Sequence, residues 1–178
     1  KIHHQDYNLP ESARYFELAL KSNPSGEVFP EDVMWLLGGT YEVQKRADIG
    51  LPWMEKSLRR EEEKHGKNTK KALSIKSTLL ELYRQERQYD RAIELGKELV
   101  SRNENPPDGD LLPLFRDLSD MSKIYLAMKR PDLAEPYCIR AQKIADTYRT
   151  GEETIDLVLY RMESRINLAE LYTLQGKY

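Results

Sequence analysis

The chain has 178 residues, enough for a sizeable core, and it is rich in charge, with 33% Asp, Glu, Lys and Arg against 39% hydrophobic residues. Its 28 basic and 30 acidic residues leave a formal net charge of -2, which argues against the basic excess of a nucleic-acid binder. One cysteine excludes an internal disulfide and fits a reducing compartment, and no apolar run approaches the roughly 18 residues of a membrane-spanning helix, so membrane insertion is not expected.

A mixture rich in Leu, Ala, Glu, Lys and Arg predicts helices with one wet face. Apolar spacing places them at roughly 10–22, 30–45, 48–64, 69–86, 89–102, 111–128, 131–149 and 152–174, with no strands. The breaks carry turn chemistry: SNPSG at 22–26, Gly66, NENPPDGD at 103–110 and TGE at 150–152.

These helices repeat as pairs. LLELYRQERQYDRAIEL, from Leu79, has the same order of apolar face, polar turn and small residue as WLLGGTYEVQKRADIGLPWM, from Trp35, and DMSKIYLAMKRPDLAEPY, from Asp120. Tyrosines of the first helix fall at 41, 83 and 125 and small residues of the second at 50, 92 and 134, both in steps of 42. Pro52 and Pro136 keep the same register, and a place in the opening helical turn, where proline loses little, is expected for both. Three repeats result, 30–65, 69–102 and 111–149, with a second-helix half repeat at 9–24 and a first-helix half repeat at 152–178 in which Tyr172 takes the place of Tyr125, 47 residues on. The expectation is one domain over 1–178, cut from or ordered within a longer repeat array, since the chain opens on Lys1 rather than Met. A chain of this pattern is all-α, its antiparallel helix pairs stacked so that each buries a face on its neighbour.

Leu37, Gly38 and Tyr41, then Leu168, Ala169 and Tyr172, Gly176 and Tyr178 in the turn, Ala92 and Ala134 opening second helices, and Ala19 with Pro24 resemble the tetratricopeptide repeat family. The 42-residue step and the stretch from Glu55 to Tyr89 look like the longer repeats of the kinesin light chain subtype, and LAEPYCIRAQKI, from Leu133, resembles their second helix. Leu80, Ser122 and Pro131 depart from the family pattern. The resemblance implies a right-handed superhelix (an α-solenoid) whose first helices line a concave groove for a peptide or helix of a partner protein.

Counted from the tyrosines, the side chains expected in that groove are Trp35, Gly39 and Glu42; Ser77, Glu81 and Arg84; Arg116, Ser119 and Lys123; and Glu163, Asn167 and Glu170. Lys and Asn are not assembled as a carboxylate clamp. Arg84, Arg116 and Lys123 would favour an acidic peptide, but Glu81 and Asp120 sit among them and ordinary pairing is the simpler reading. Trp35 is read either as an aromatic anchor or as packing beside Met34, Leu36 and Leu37. Asn167 matches an asparagine that holds an extended peptide backbone in the resembling repeats, or else is a solvated helix-face side chain. Trp53 is read as packing, and Cys138, at the apolar position of Met54 two repeats earlier, as a core thiol.

Catalytic signals are absent. His3, His4 and His65 have no metal-ligand spacing, GKNTKK at 66–71 lacks the upstream glycine of a phosphate loop, and DGD at 108–110 lacks the later glutamate of a calcium loop and reads as turn and helix cap. No cofactor or metal is expected. The leading expectation is a non-catalytic, intracellular and cytoplasmic interaction scaffold that can self-associate through open repeat ends. The rivals are a structural or oligomerisation arm and a regulatory domain beside a catalytic one.

Overall fold

A computed structural model describes Tyr15, Leu18 and Ser22 and residues 31–106, 108–147 and 155–177. The described residues are all-helical, with α1 Glu31–Val43, α2 Ala47–His65, α3 Lys70–Gln85, α4 Tyr89–Asn103, α5 Leu112–Ala127, α6 Pro131–Thr147 and α7 Ile155–Leu174. Tyr15, Leu18 and Ser22 are helical too, while the rest of the expected 10–22 helix, of the half repeat 9–24 and of the turns at 22–26 and 150–152 lies outside the described residues.

The clearest trace of repetition is how the helices stop. Lys45, Arg87, Lys129 and Gly176 have φ of 58°, 56°, 59° and 68°, and each follows its tyrosine by four residues. Each N–H bonds back to the carbonyl three residues earlier, and at three of the four the next N–H reaches the tyrosine carbonyl: Arg46 to Tyr41 at 2.8 Å, Arg130 to Tyr125 at 2.9 Å and Lys177 to Tyr172 at 2.9 Å. This double bond is the Schellman stop, which satisfies carbonyls that a helix end would leave orphaned. The following residue then opens the second helix, as Gly50 bonds to Arg46, Ala92 to Gln88 and Ala134 to Arg130, each at 3.1 Å. The step of 42 therefore governs backbone geometry as well as residue type.

The chain divides into two compact units, Lys1–Arg87 and Gln88–Tyr178. In the first, α1 and α2 form an antiparallel hairpin at glycine distance. A Cβ built on Gly50 would lie 3.0 Å from Tyr41 Cβ and 3.1 Å from the Gly38 carbonyl oxygen, so this crossing leaves no room for a side chain. α3 then runs back along α2, with Tyr83 donating to Glu55 at 2.9 Å and Lys76 paired with Glu62 at 3.1 Å. Thr69 caps α3, its Oγ1 accepting from the Ala72 N–H at 3.0 Å and donating to Glu61 at 2.7 Å. Met34, Leu37, Tyr41, Met54, Ile75, Leu79 and Leu82 fill the core of this unit.

In the second unit α4 leads into α5 through the 103–110 turn, where Asp108 accepts from the Asp110 N–H at 3.1 Å and Asp110 from the Leu112 N–H at 3.0 Å. DGD thus forms the turn the sequence suggests, whereas the N-cap position of α5 is Leu111 and carries no side-chain cap bond. α6 and α7 are antiparallel: Arg161 reaches the Ala145 carbonyl, Ser164 reaches Gln142, the Cys138 thiol lies 4.0 Å from the Asn167 carbonyl, and Gln175 reaches Glu135. α5 and α7, both first helices, run parallel, with Arg116 against Tyr160 and Ser122 against Asn167. Phe115, Leu118, Met121, Ile124, Cys138, Ala141 and Leu171 are buried here.

One expectation is corrected. Pro52 and Pro136 stand in the second turn of α2 and α6, inside the helices, and the proline of an opening turn is Pro113 in α5, with Pro131 beginning α6. Both internal prolines are exposed, so the N–H they lack is missing from the wet side, where water can serve the carbonyls of Asp48 and Asp132.

Candidate functional site

The expected groove residues fall on two sets of helices, one in each unit. On α1 and α3, Trp35, Glu42, Glu81 and Arg84 are half-buried and Ser77 is exposed. Gly39 faces open space, since a Cβ there would meet nothing within 4 Å. Glu81 is the hub. Arg84 donates to both its oxygens at 2.7 and 2.6 Å, Gln85 donates at 2.9 Å, and Lys45 Nζ lies 3.7 Å away. Burial works against the Glu81 charge, but Arg84, Gln85 and Lys45 outweigh it and hold the carboxyl below its usual range. Glu42 lacks that hydrogen bonding, and burial together with the negative Glu81 raises it, against the pull of Lys45 and Arg84.

On α5 and α7 the structure separates the set. Ser119 and Asn167 are buried, and this corrects both readings of Asn167: its Nδ2 donates to Ser122 Oγ at 3.2 Å, so it is neither offered to a peptide nor solvated. The Ser119 hydroxyl, also expected in the groove, finds no hydrogen-bond partner among the described residues. The physical reason is that α7 lies on α5 and covers that side of it. Lys123 bridges Asp120 at 3.3 Å and Glu163 of α7; burial disfavours its charge, but the two carboxylates outweigh this and lift the ammonium above its usual value. Arg116 is exposed, lies 5.4 Å from the Tyr160 ring centre and donates to the Tyr160 hydroxyl, while Tyr160 packs on Phe115 with ring centres 5.1 Å apart. Glu170 is exposed.

Arg84 and Lys123 thus have carboxylate partners in their own units, and Arg116 is held on a tyrosine, so the three cations do not form an unopposed basic surface. Lys45, Gln85 and Tyr160 were missed by counting along single helices. Lys45 sits in a turn and Tyr160 one repeat away from Arg116, and helical spacing signals neither. Asp117 was missed although its signal is plain: a carboxylate on the apolar face between Leu114, Leu118 and Met121. It is 4% exposed, accepts from Asn103 Nδ2 at 2.6 Å, and has its pKa raised to about 7 by burial and by the neighbouring Asp120, against Asn103, Arg102 and Arg116.

Trp53 is half-buried with Lys56 5.9 Å above its ring. Cys138 is buried, and burial pushes its thiol up, which suppresses the reactive thiolate. His65 is exposed at the end of α2, and His3 and His4 lie outside the described residues. Among the described residues no group of three or more His, Cys, Asp or Glu side chains is placed to hold a metal ion, and no helix is long and apolar enough to cross a membrane. Compared with family models, curated proteins and solved structures, the chain shows no significant match.

Proposed function

We propose that the chain is a non-catalytic protein-interaction scaffold, a right-handed superhelix of tetratricopeptide type with the longer spacing of kinesin light chain-like repeats. The observation that carries this reading is the fourfold recurrence of one helix stop, with positive φ at Lys45, Arg87, Lys129 and Gly176. An array built by regular repetition turns steadily and presents its first helices on one concave side. In this reading the accessible first-helix contacts are Trp35, Glu42 and Ser77 in the first unit and Arg116 and Glu170 in the second, and a peptide or helix of another protein is the ligand. The internal pairing of Glu81 with Arg84 and of Lys123 with Asp120 and Glu163 favours a ligand held by apolar and neutral polar contacts over an acidic one, because engaging those cations would first require breaking their present pairs. The protein works inside the cell, in the cytoplasm, where a lone buried thiol needs no partner.

The test is selection from a displayed peptide library followed by titration of the selected peptides. Trp35→Ala and Ser77→Arg should each weaken binding about tenfold or more with the helix content unchanged, and neutralising the internally paired Arg84 and Lys123 together should matter less. Selected peptides that bind both groove variants as tightly as the native chain would refute the assignment.

A further inference from the structure

α4 stops differently from the first helices. α1, α3, α5 and α7 each close on a residue of positive φ whose N–H bonds back into its own helix. The cap of α4, Glu104, keeps a right-handed φ of -59° instead, and among the described residues no N–H of the following turn returns to an α4 carbonyl. Prolines at 106 and 107 leave that turn few N–H groups to return.

Side chains hold this end in place of the backbone. Glu104 receives Arg140 of α6 on both its oxygens, at 2.8 and 2.6 Å, in an exposed pair of modest worth. Asn103 donates through Nδ2 to Asp117 of α5 at 2.6 Å, while its own Oδ1 accepts from Arg102 at 3.0 Å. This second tie is buried, and it depends on the charge of Asp117.

Asp117 is 4% exposed, and its hydrogen bond comes from a neutral amide rather than from a cation. Burial is the largest influence on it; Asp120, one turn on, also opposes ionisation, while Asn103, Arg102 and Arg116 favour it without matching the burial. Arg140 of α6 and Glu163 of α7, which those helices bring toward α4 and α5, are engaged by Glu104 and Lys123. The carboxyl is pushed up to about 7, so both of its forms are populated near neutrality. Protonated, it suits an apolar site. Ionised, it needs water or a cation, and the end of α4 offers both, since Arg102 is exposed and lies one residue before Asn103.

We propose that Asp117 and Asn103 form a latch operated by pH: the neutral carboxyl keeps Asn103 docked and the last turn of α4 wound, and the ionised one releases Asn103 so that this turn opens to water while α5 stays folded. The device is independent of what the first-helix faces bind.

Native-state amide exchange reads it, each rate being divided by that of the unstructured peptide at the same pH. From pH 6 to pH 8 the neutral fraction of Asp117 falls from about 0.9 to about 0.1, and the protection of Ser101, Arg102 and Asn103 should fall with it by about tenfold. At both pH values their protection should stay well below that of Leu118, a buried core residue of α5. Asp117→Asn, neutral throughout, should hold the three protections constant within about twofold. In the native chain the side-chain amide signals of Asn103 should move with a midpoint of about 7, a reading that needs no variant. Native protection at the α4 end that is equal at pH 6 and pH 8 would overturn the latch, as would the same fall in Asp117→Asn. Exchange of that end only in step with Leu118, or Asn103 amide signals that hold still, would overturn it as well.

Discussion

Replacing Asp117 with Asn should stabilise the protein at alkaline pH and leave it nearly unchanged in acid. Asp117 is 4% exposed, its hydrogen bond to Asn103 is 2.6 Å long, and its pKa is raised from 3.8 to about 7, first by burial and then by Asp120. The folded state therefore holds a proton that the unfolded chain has released over the range between those two values. Stability from this group is fully present below the unfolded value and is lost as pH rises through about 7, the reverse of the usual salt-bridged aspartate. At about 1.4 kcal/mol per pKa unit, the loss by pH 8 is on the order of 4 kcal/mol. An asparagine keeps an oxygen for the Asn103 amide and carries no charge, so the variant should escape most of that loss. Urea unfolding of both proteins at about pH 4 and pH 8, close to the unfolded value and above the folded one, reads the difference directly. The variant should exceed the native chain by about 2–4 kcal/mol at the higher pH and match it within about 1 kcal/mol at the lower. Equal stabilities at pH 8, or a native chain that gains stability through this group as pH rises, would refute the reasoning.

Three further outcomes are expected. Gly50→Val should cost about 2 kcal/mol in thermal or urea unfolding, because its Cβ would meet Tyr41 and the Gly38 carbonyl at 3.0 and 3.1 Å; an unchanged midpoint would mean that the α1–α2 crossing is looser than this. Lys129→Gly should stabilise by about 0.5–1 kcal/mol, since φ of 59° strains a residue with a Cβ, and a lowered melting temperature would contradict that. Lys123→Met should destabilise by about 1 kcal/mol or more, by leaving Asp120 and Glu163 beside each other without their cation, and the loss should shrink when Glu163→Leu is added.

The helices were legible because apolar spacing and turn residues agreed along the chain, and the step of 42 was legible because Tyr41, Tyr83 and Tyr125 mark one place in the turn. The stops themselves were only partly visible. Gly176 advertises a left-handed residue, whereas Lys45, Arg87 and Lys129 adopt the same conformation without any residue-type signal. The candidate face was legible as a set of positions and less so as a set of environments. Ser119 and Asn167 look like polar surface in sequence, but α7 lying along α5 buries both, and that packing joins residues some 45 positions apart, Asn167 to Ser122. Helical spacing also puts Glu81 near Arg84, yet it says nothing of Lys45 arriving from the turn after α1. Asp117 was readable as a carboxylate on an apolar face; what the sequence lacked was its partner, Asn103, at the end of another helix.

The proposed binding of a partner protein at the first-helix faces can be read from backbone amide chemical shifts on addition of a selected peptide. Perturbations should concentrate at Trp35, Gly39, Ser77, Arg116 and Glu170, with the exposed faces of α2, α4 and α6 unmoved. Shifts confined to those second helices, or to the turns at Gly66 and Gly109, would contradict it.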